Sequence, residues 1–101
     1  MKKYNKILIT GHLGFVGKQY VKYFSDFDCQ ITGIDIKEGN DCRDFFKVNH
    51  EKFDLIIHLA AIVGGRETIE NDPLAVATDL SIDSEFFNWT VRTGQKKNNL
   101  F

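Results

Sequence analysis

The stretch Lys6-Ile7-Leu8-Ile9-Thr10-Gly11-His12-Leu13-Gly14-Phe15-Val16-Gly17 decides how this chain is read. Its first five residues are mostly apolar and rich in β-branched side chains, which predicts a short buried strand over Lys6 to Thr10. Three glycines follow at positions 11, 14 and 17, and a helical stretch runs from there to about Ser25. Val16, Tyr20 with Val21, and Phe24 recur at three-to-four-residue spacing and mark one face of that helix. A strand that turns into a helix through three spaced glycines has a physical use. Gly11 permits the sharp turn, Gly14 lets a ligand approach the backbone, and Gly17 lets the helix pack closely. The helix start offers free N–H groups and a partial positive charge, which suits phosphate.

Outward from this loop the pattern repeats. Gln30 to Asp35 predicts a second strand, and Ile36 to Asp41 is a polar turn around Gly39 and Asn40. Asp41 is placed to cap a short helix carrying Phe45, Phe46 and Val48. Asp54 to Leu59 predicts a third strand, apolar on both faces except at His58. Ala60 to Arg66 is a small-residue loop. Pro73 then opens a helix, with Asn71 or Asp72 as cap, that runs to Thr93 and stops at Gly94. Val76, Leu80, Phe87 and Val91 are its expected buried face. Phe86 and Trp89 are expected in the core, or as cover for a missing part, with Phe87 as a further candidate for that role. Strand and helix alternate throughout, which argues for an α/β protein with a parallel sheet and helices on both faces. Leu100-Phe101 reads as the opening of another strand, so the chain is expected to be the front part of something larger.

Composition removes other classes. The 101 residues fit one domain, with 43% hydrophobic and 27% charged residues. The net charge of −1 gives no electrostatic case for nucleic acid or an anionic membrane. Leu55 to Val63 is far shorter than a membrane span of about 20 residues. The apolar run Ile7-Leu8-Ile9 is shorter than the roughly 7–15 residues of an export signal. Cys29 and Cys42 form no C-x-x-C and read as free thiols of a reducing compartment, so a cytoplasmic location is expected. The histidines lack metal-ligand spacing. His12 sits in the glycine loop, which works through its backbone, while His58 reads as a packed strand residue and His50 as a surface one.

Asp35 gives the glycine loop its second half. It ends the second strand, 24 positions after Gly11, where a carboxylate accepts both hydroxyls of an adenosine ribose. The same charge repels a 2′-phosphate, so NAD is expected over NADP, with Lys37 keeping NADP as the alternative. These motifs together resemble the NAD-dependent epimerase/dehydratase family, the extended short-chain dehydrogenases/reductases. Thr10 to Gly17, T-G-H-L-G-F-V-G, is similar to that family's T-G-x-x-G-F-[IV]-G. Asp41-Cys42-Arg43-Asp44 resembles its D-[IL]-R-D, and His58-Leu59-Ala60-Ala61 its H-L-A-A. Asp79 stands where an Asn is usual in the helix that follows.

The resemblance implies a Rossmann-type doubly wound parallel sheet, truncated after about four strands, with the catalytic and substrate-binding part absent from residues 1–101. It implies cofactor contacts from Gly11, His12, Leu13, Gly14, Phe15, Val16 and Gly17, with Asp35 on the ribose. Asp41 and Cys42 would lie at the adenine, and Leu59, Ala60 and Ala61 beside the nicotinamide-side ribose. Gly64, Gly65 and Arg66 resemble a substrate loop of the GDP-sugar branch. The implied substrate is a nucleotide sugar, and the helix from Pro73 to Thr93 implies a homodimer. Two departures stand out. Only five residues separate Asp35 from Asp41, so the usual second helix and third strand are compressed or missing. The family's Tyr-x-x-x-Lys is also absent: Leu8, Phe24 and Phe27 stand four residues after Tyr4, Tyr20 and Tyr23. The chain alone is therefore expected to be inactive. A stand-alone dinucleotide-binding module and another Rossmann-like enzyme, such as a methyltransferase, remain alternatives.

Overall fold

The computed structural model describes residues 4–60 and 73–96. Three parallel strands form the sheet: β1 (Lys6–Thr10), β2 (Gln30–Ile34) and β3 (Leu55–His58). Their order is β2-β1-β3, with Lys6 opposite Gln30 and Ile7 opposite Leu55. Helix α1 (Phe15–Ser25) joins β1 to β2, and α2 (Cys42–Val48) lies between β2 and β3. Helix α3 (Pro73–Thr93) follows β3. The five residues between Asp35 and Asp41 hold only a single 3-10 turn, Ile36–Glu38, closed by Gly39 at φ +81°. That turn explains the compression seen in the sequence: the chain passes from β2 straight into α2.

β1 is buried on both faces, because alternate side chains feed two separate cores. Ile7 and Ile9 pack with Leu55 and Ile57 under Val21 and Phe24 of α1. Leu8 and Ile56 face the other way, against Cys42 and Phe46 of α2 and Ile82, Phe86 and Trp89 of α3. The expected architecture, helices on both faces of a parallel sheet, is therefore what the chain forms.

Two expected helix faces are corrected. On α3 the buried side chains are Ile82, Phe86, Trp89 and Thr90, whereas Leu80, Phe87 and Val91 are exposed and Val76 is half-buried. The helix carries apolar residues on two faces at the same spacing, and the row completed by Trp89 is the one that fills the space over Phe46 and Phe53. On α1, Phe24 and Val21 pack on the sheet while Val16 and Tyr20 stay exposed. The helix turns its glycine edge inward near its start, and Gly17 is its only buried residue.

Polar ties fix α3 to the rest. Arg92 donates to the Phe46 carbonyl at 2.6 Å, and Trp89 Nε1 donates to Asn49 Oδ1 at 3.2 Å. Beyond Gly94, at φ +70°, buried Gln95 accepts from the Phe53 N–H and donates to the Glu51 carbonyl. The proposed strand at Leu100-Phe101 lies outside the described residues. Among the described residues no helix is long and apolar enough to cross a membrane.

Candidate functional site

The strand order places β1 between two strands that follow it in sequence, so the chain leaves β1 in opposite directions. In such sheets ligands sit beyond the carboxyl ends of the strands at that switch. A cavity of about 510 Å³ lies there. Gly11 and Gly14 line it after β1, Asp35 after β2, and Leu59 and Ala60 after β3. Asn40, Asp41, Cys42 and Arg43 form another wall, with Thr78 and Ile82 of α3.

The loop geometry follows from its glycines. Gly11 sits at φ +74°, where a side chain is strained, and an added Cβ would lie 3.0 Å from the Leu59 carbonyl carbon. A Cβ on Gly17 would fall onto the Gly11 carbonyl oxygen and lie 2.7 Å from His12 Cα. α1 therefore starts against the loop itself. Gly14 is its N-cap, no side chain caps it and no acidic residue occupies its first turn. The N-terminal N–H groups of α1 are thus left without a side-chain acceptor, beside a cavity able to supply one.

Asp35 is 7% exposed. Its Oδ2 accepts from the Leu13 N–H at 3.0 Å and its Oδ1 from the Lys37 N–H at 2.9 Å. Burial alone would raise its pKa. The two backbone N–H groups, with the charges of His12 and Lys37, outweigh burial and hold the carboxyl below its ordinary 3.8. Each oxygen keeps a second lone pair, so the ionised group still has acceptor capacity. Lys37 Nζ also reaches the Leu13 carbonyl at 3.4 Å, so the glycine loop and the turn after β2 are tied together.

Asp41 caps α2 by accepting from the Arg43 N–H at 2.9 Å. The Arg43 guanidinium grips the same carboxylate through Nε, at 3.1 Å, and Nη2, at 2.7 Å. This pairing is the main reason the Asp41 carboxyl sits below its ordinary 3.8. A group depressed in the folded state stabilises the protein above its unfolded pKa, and that contribution is lost as pH falls through the folded value. Asp41→Asn is accordingly expected to be less stable than the parent at neutral pH by about 1 kcal/mol. The gap should narrow below pH 3.8, as urea unfolding at a series of pH values would read. Cys42, next in line, is buried, and its thiol is pushed up to about 11, so it is a neutral wall residue.

Of the residues singled out in the sequence, Gly11, Gly14, Asp35, Asp41, Cys42, Leu59 and Ala60 converge on the cavity. His12 turns away from it. Its ring packs on Gly33, and its Nε2 meets Glu38 Oε1 at 2.9 Å. Leu13 contributes through its backbone, and Phe15 and Val16 are exposed on the first turn of α1. Ala61, Gly64, Gly65 and Arg66 lie outside the described residues. Arg43, Asn40, Thr78 and Ile82 were not anticipated as lining. Arg43 stands in the quoted D-C-R-D segment, but its position depends on the compressed turn that brings α2 to the cavity.

A family model for the NAD-dependent epimerase/dehydratase family matches residues 7–100. The chain belongs to that family. No curated protein matches it. The match runs from Ile7 in β1 past the end of α3, and membership in this family implies a nicotinamide dinucleotide cofactor. The residues present fit such a group. A Cβ at Gly14 would meet only the Gly11 carbonyl oxygen, at 3.4 Å, and otherwise open space, the α1 N-terminus is uncapped, and the ionised Asp35 carboxylate lines the same cavity, bonded to the loop at Leu13.

Proposed function

We propose that this chain is the dinucleotide-binding portion of a nucleotide-sugar epimerase or dehydratase, and that it prefers NAD to NADP. The observation that carries the reading is that the uncapped α1 N-terminus and ionised Asp35 stand side by side on one cavity. In this reading the backbone from Gly11 to Gly17 receives the pyrophosphate. Asp35 receives the adenosine ribose hydroxyls. Asp41 and Cys42, with Arg43 and Ile82, surround the adenine. Leu59 and Ala60 run beside the nicotinamide-side ribose; Ala61 is assigned to the same ribose, and Gly64, Gly65 and Arg66 to the sugar, on the family resemblance alone. When bound, such a dinucleotide would supply a reversible hydride acceptor for a sugar carbon bearing a hydroxyl, and the C–H beside the resulting ketone would become acidic. The residues named here bind and orient. No tyrosine among the 101 residues is followed four positions later by lysine, so binding without turnover is the expected behaviour of this chain by itself.

The same reading assigns a cytoplasmic location and a homodimer through α3. The exposed row Leu80, Phe87 and Val91 supports the dimer, since a helix with a second apolar face has something left to bury.

The decisive experiment is calorimetric titration of the chain and of Asp35→Ala with NAD and with NADP. The parent is expected to bind NAD more tightly. Asp35→Ala should lose roughly 10- to 100-fold in NAD affinity, the worth of hydrogen bonds to a charged acceptor. It should also narrow the preference over NADP, because the repulsion of a 2′-phosphate goes with the carboxylate. No NAD binding by the parent, or unchanged affinities in the variant, would remove this reading.

A further inference from the structure

His58 lies at the end of β3 with its side chain 10% exposed, and it takes no part in the binding just described. Its ring stacks on Phe86, with centroids 4.3 Å apart and planes 14° from parallel. Phe46 meets it edge-on at 5.7 Å. Its Nδ1 lies 2.6 Å from Thr10 Oγ1. The buried Thr10 hydroxyl is also approached by the Leu59 N–H and the Ala60 N–H, each at 3.1 Å.

Donor and acceptor counting fixes the arrangement. A hydroxyl oxygen has two lone pairs and one proton. The Ala60 N–H takes one lone pair, and the other meets one arm of the Leu59 N–H, whose second arm reaches the Thr10 carbonyl at 3.0 Å, so the Thr10 proton goes to His58 Nδ1. Nδ1 is then bare, and the proton of the neutral ring sits on Nε2. Nε2 has no hydrogen-bond partner among the described residues. It faces Asp83 Oδ1 of α3 at 3.8 Å, beyond hydrogen-bond reach.

We propose that His58 is a positioning residue: as the neutral Nε2–H tautomer it orients the Thr10 hydroxyl, which in turn holds the Leu59 and Ala60 N–H groups at the cavity wall. A protonated ring presents N–H from both nitrogens. Nδ1 would then point a proton at an oxygen whose lone pairs are both engaged, and Thr10 Oγ1 must give up the Ala60 N–H or its arm of the Leu59 N–H, which would keep only the Thr10 carbonyl. Acid at His58 is therefore felt at the backbone that lines the cavity.

The surroundings favour the neutral ring. Burial pushes the His58 pKa below its ordinary 6.5, and the opposing pull of Asp83 is the smaller effect. From β1 the ring faces uncharged Thr10, from α2 the Phe46 ring, and from α3 Phe86 and Asp83. A histidine kept neutral by folding lets the unfolded chain take up the proton first, so its contribution is intact above 6.5 and declines as pH falls.

Nuclear magnetic resonance of the full 101-residue chain tests this, and the latch itself does not depend on the dinucleotide reading. Ring nitrogen shifts should report Nε2–H and bare Nδ1. Between about pH 8 and about pH 5, the Leu59 and Ala60 amide shifts should move with the midpoint of the His58 ring. NAD affinity, which does rest on that reading, should fall roughly fivefold through the same midpoint, the worth of one neutral hydrogen bond. His58→Asn keeps an acceptor near the Nδ1 position and should abolish the pH dependence while preserving the amide shifts. His58→Phe should displace them at every pH. An Nδ1–H tautomer, or amides flat through the ring's titration, would overturn the latch. Amides that track the ring alongside a pH-independent NAD affinity would overturn its positioning role. Amides that track it in a chain with no affinity for NAD would support the latch and reject the dinucleotide reading instead.

Discussion

Gly17→Ala is expected to abolish dinucleotide binding and to destabilise the fold by roughly 3 kcal/mol, the upper range for forcing a methyl group into a packed site. The added carbon meets backbone on every side: the Gly11 carbonyl oxygen, His12 Cα and the His12 carbonyl carbon. None of these is the movable end of a side chain. Relief requires α1 to slide away from the loop, which carries the helix N-terminus out of reach of the cavity. Gly33→Ala is the control. The nearest atoms to its Cβ belong to the His12 ring, at 2.6 Å, and a ring can rotate. That variant should be milder, and His12→Ala should restore most of what it loses. Urea unfolding together with NAD titration reads both effects. A Gly17→Ala chain that binds NAD normally would mean that α1 is not held against the loop as described.

Trp89→Ala is the second large expectation, a loss of about 3–5 kcal/mol in unfolding free energy. A domain of this size has roughly 5–15 kcal/mol in total, so much of its stability rests on one side chain. Trp89 is 1% exposed. Its ring lies 5.0 Å from that of Phe46 and between 6.1 and 6.2 Å from those of Phe45, Phe53 and Phe86. These rings come from α2, from the segment before β3 and from α3 itself, so the cavity left by truncation opens where three parts of the chain meet. Thermal unfolding compared with Val91→Ala, on the exposed face of the same helix, gives the scale. The exposed variant should stay within about 0.5 kcal/mol of the parent. Equal effects at the two positions would return the buried face of α3 to the Val91 row.

The contrast between those two positions also shows where sequence was legible. The glycine loop, the strand before it and Asp35 could be read because each demands a particular residue type at a particular spacing. The start and end of α3 were equally plain, since Pro73 and Gly94 act on the backbone locally. The face α3 buries was not plain. Leu80, Phe87 and Val91 keep helical spacing, as do Ile82, Phe86 and Trp89, and only the shape of the space over Phe46 chooses between them. Arg43 was missed for a related reason. Its grip on Asp41 spans two residues and reads as an ordinary cap, and its place on the cavity wall is set by a 3-10 turn standing where a longer connection was expected. His58 was correctly read as packed, but its tautomer follows only from the two backbone N–H groups that share Thr10.

The central position of β1 governs how the chain reaches this state. Every ladder partner of β1 is distant: Lys6 pairs with Gln30 and Ile7 with Leu55, 24 and 48 positions further along. No strand can therefore pair through a local hairpin, and the sheet forms only after loops of those lengths have closed. During synthesis the Lys6–Thr10 segment leaves the ribosome before Gln30–Ile34 and Leu55–His58 and waits for both neighbours. Over that interval its apolar side chains and its unpaired backbone are open to other chains. The strand that anchors the finished domain is also the segment most exposed to misassembly while the domain is being made.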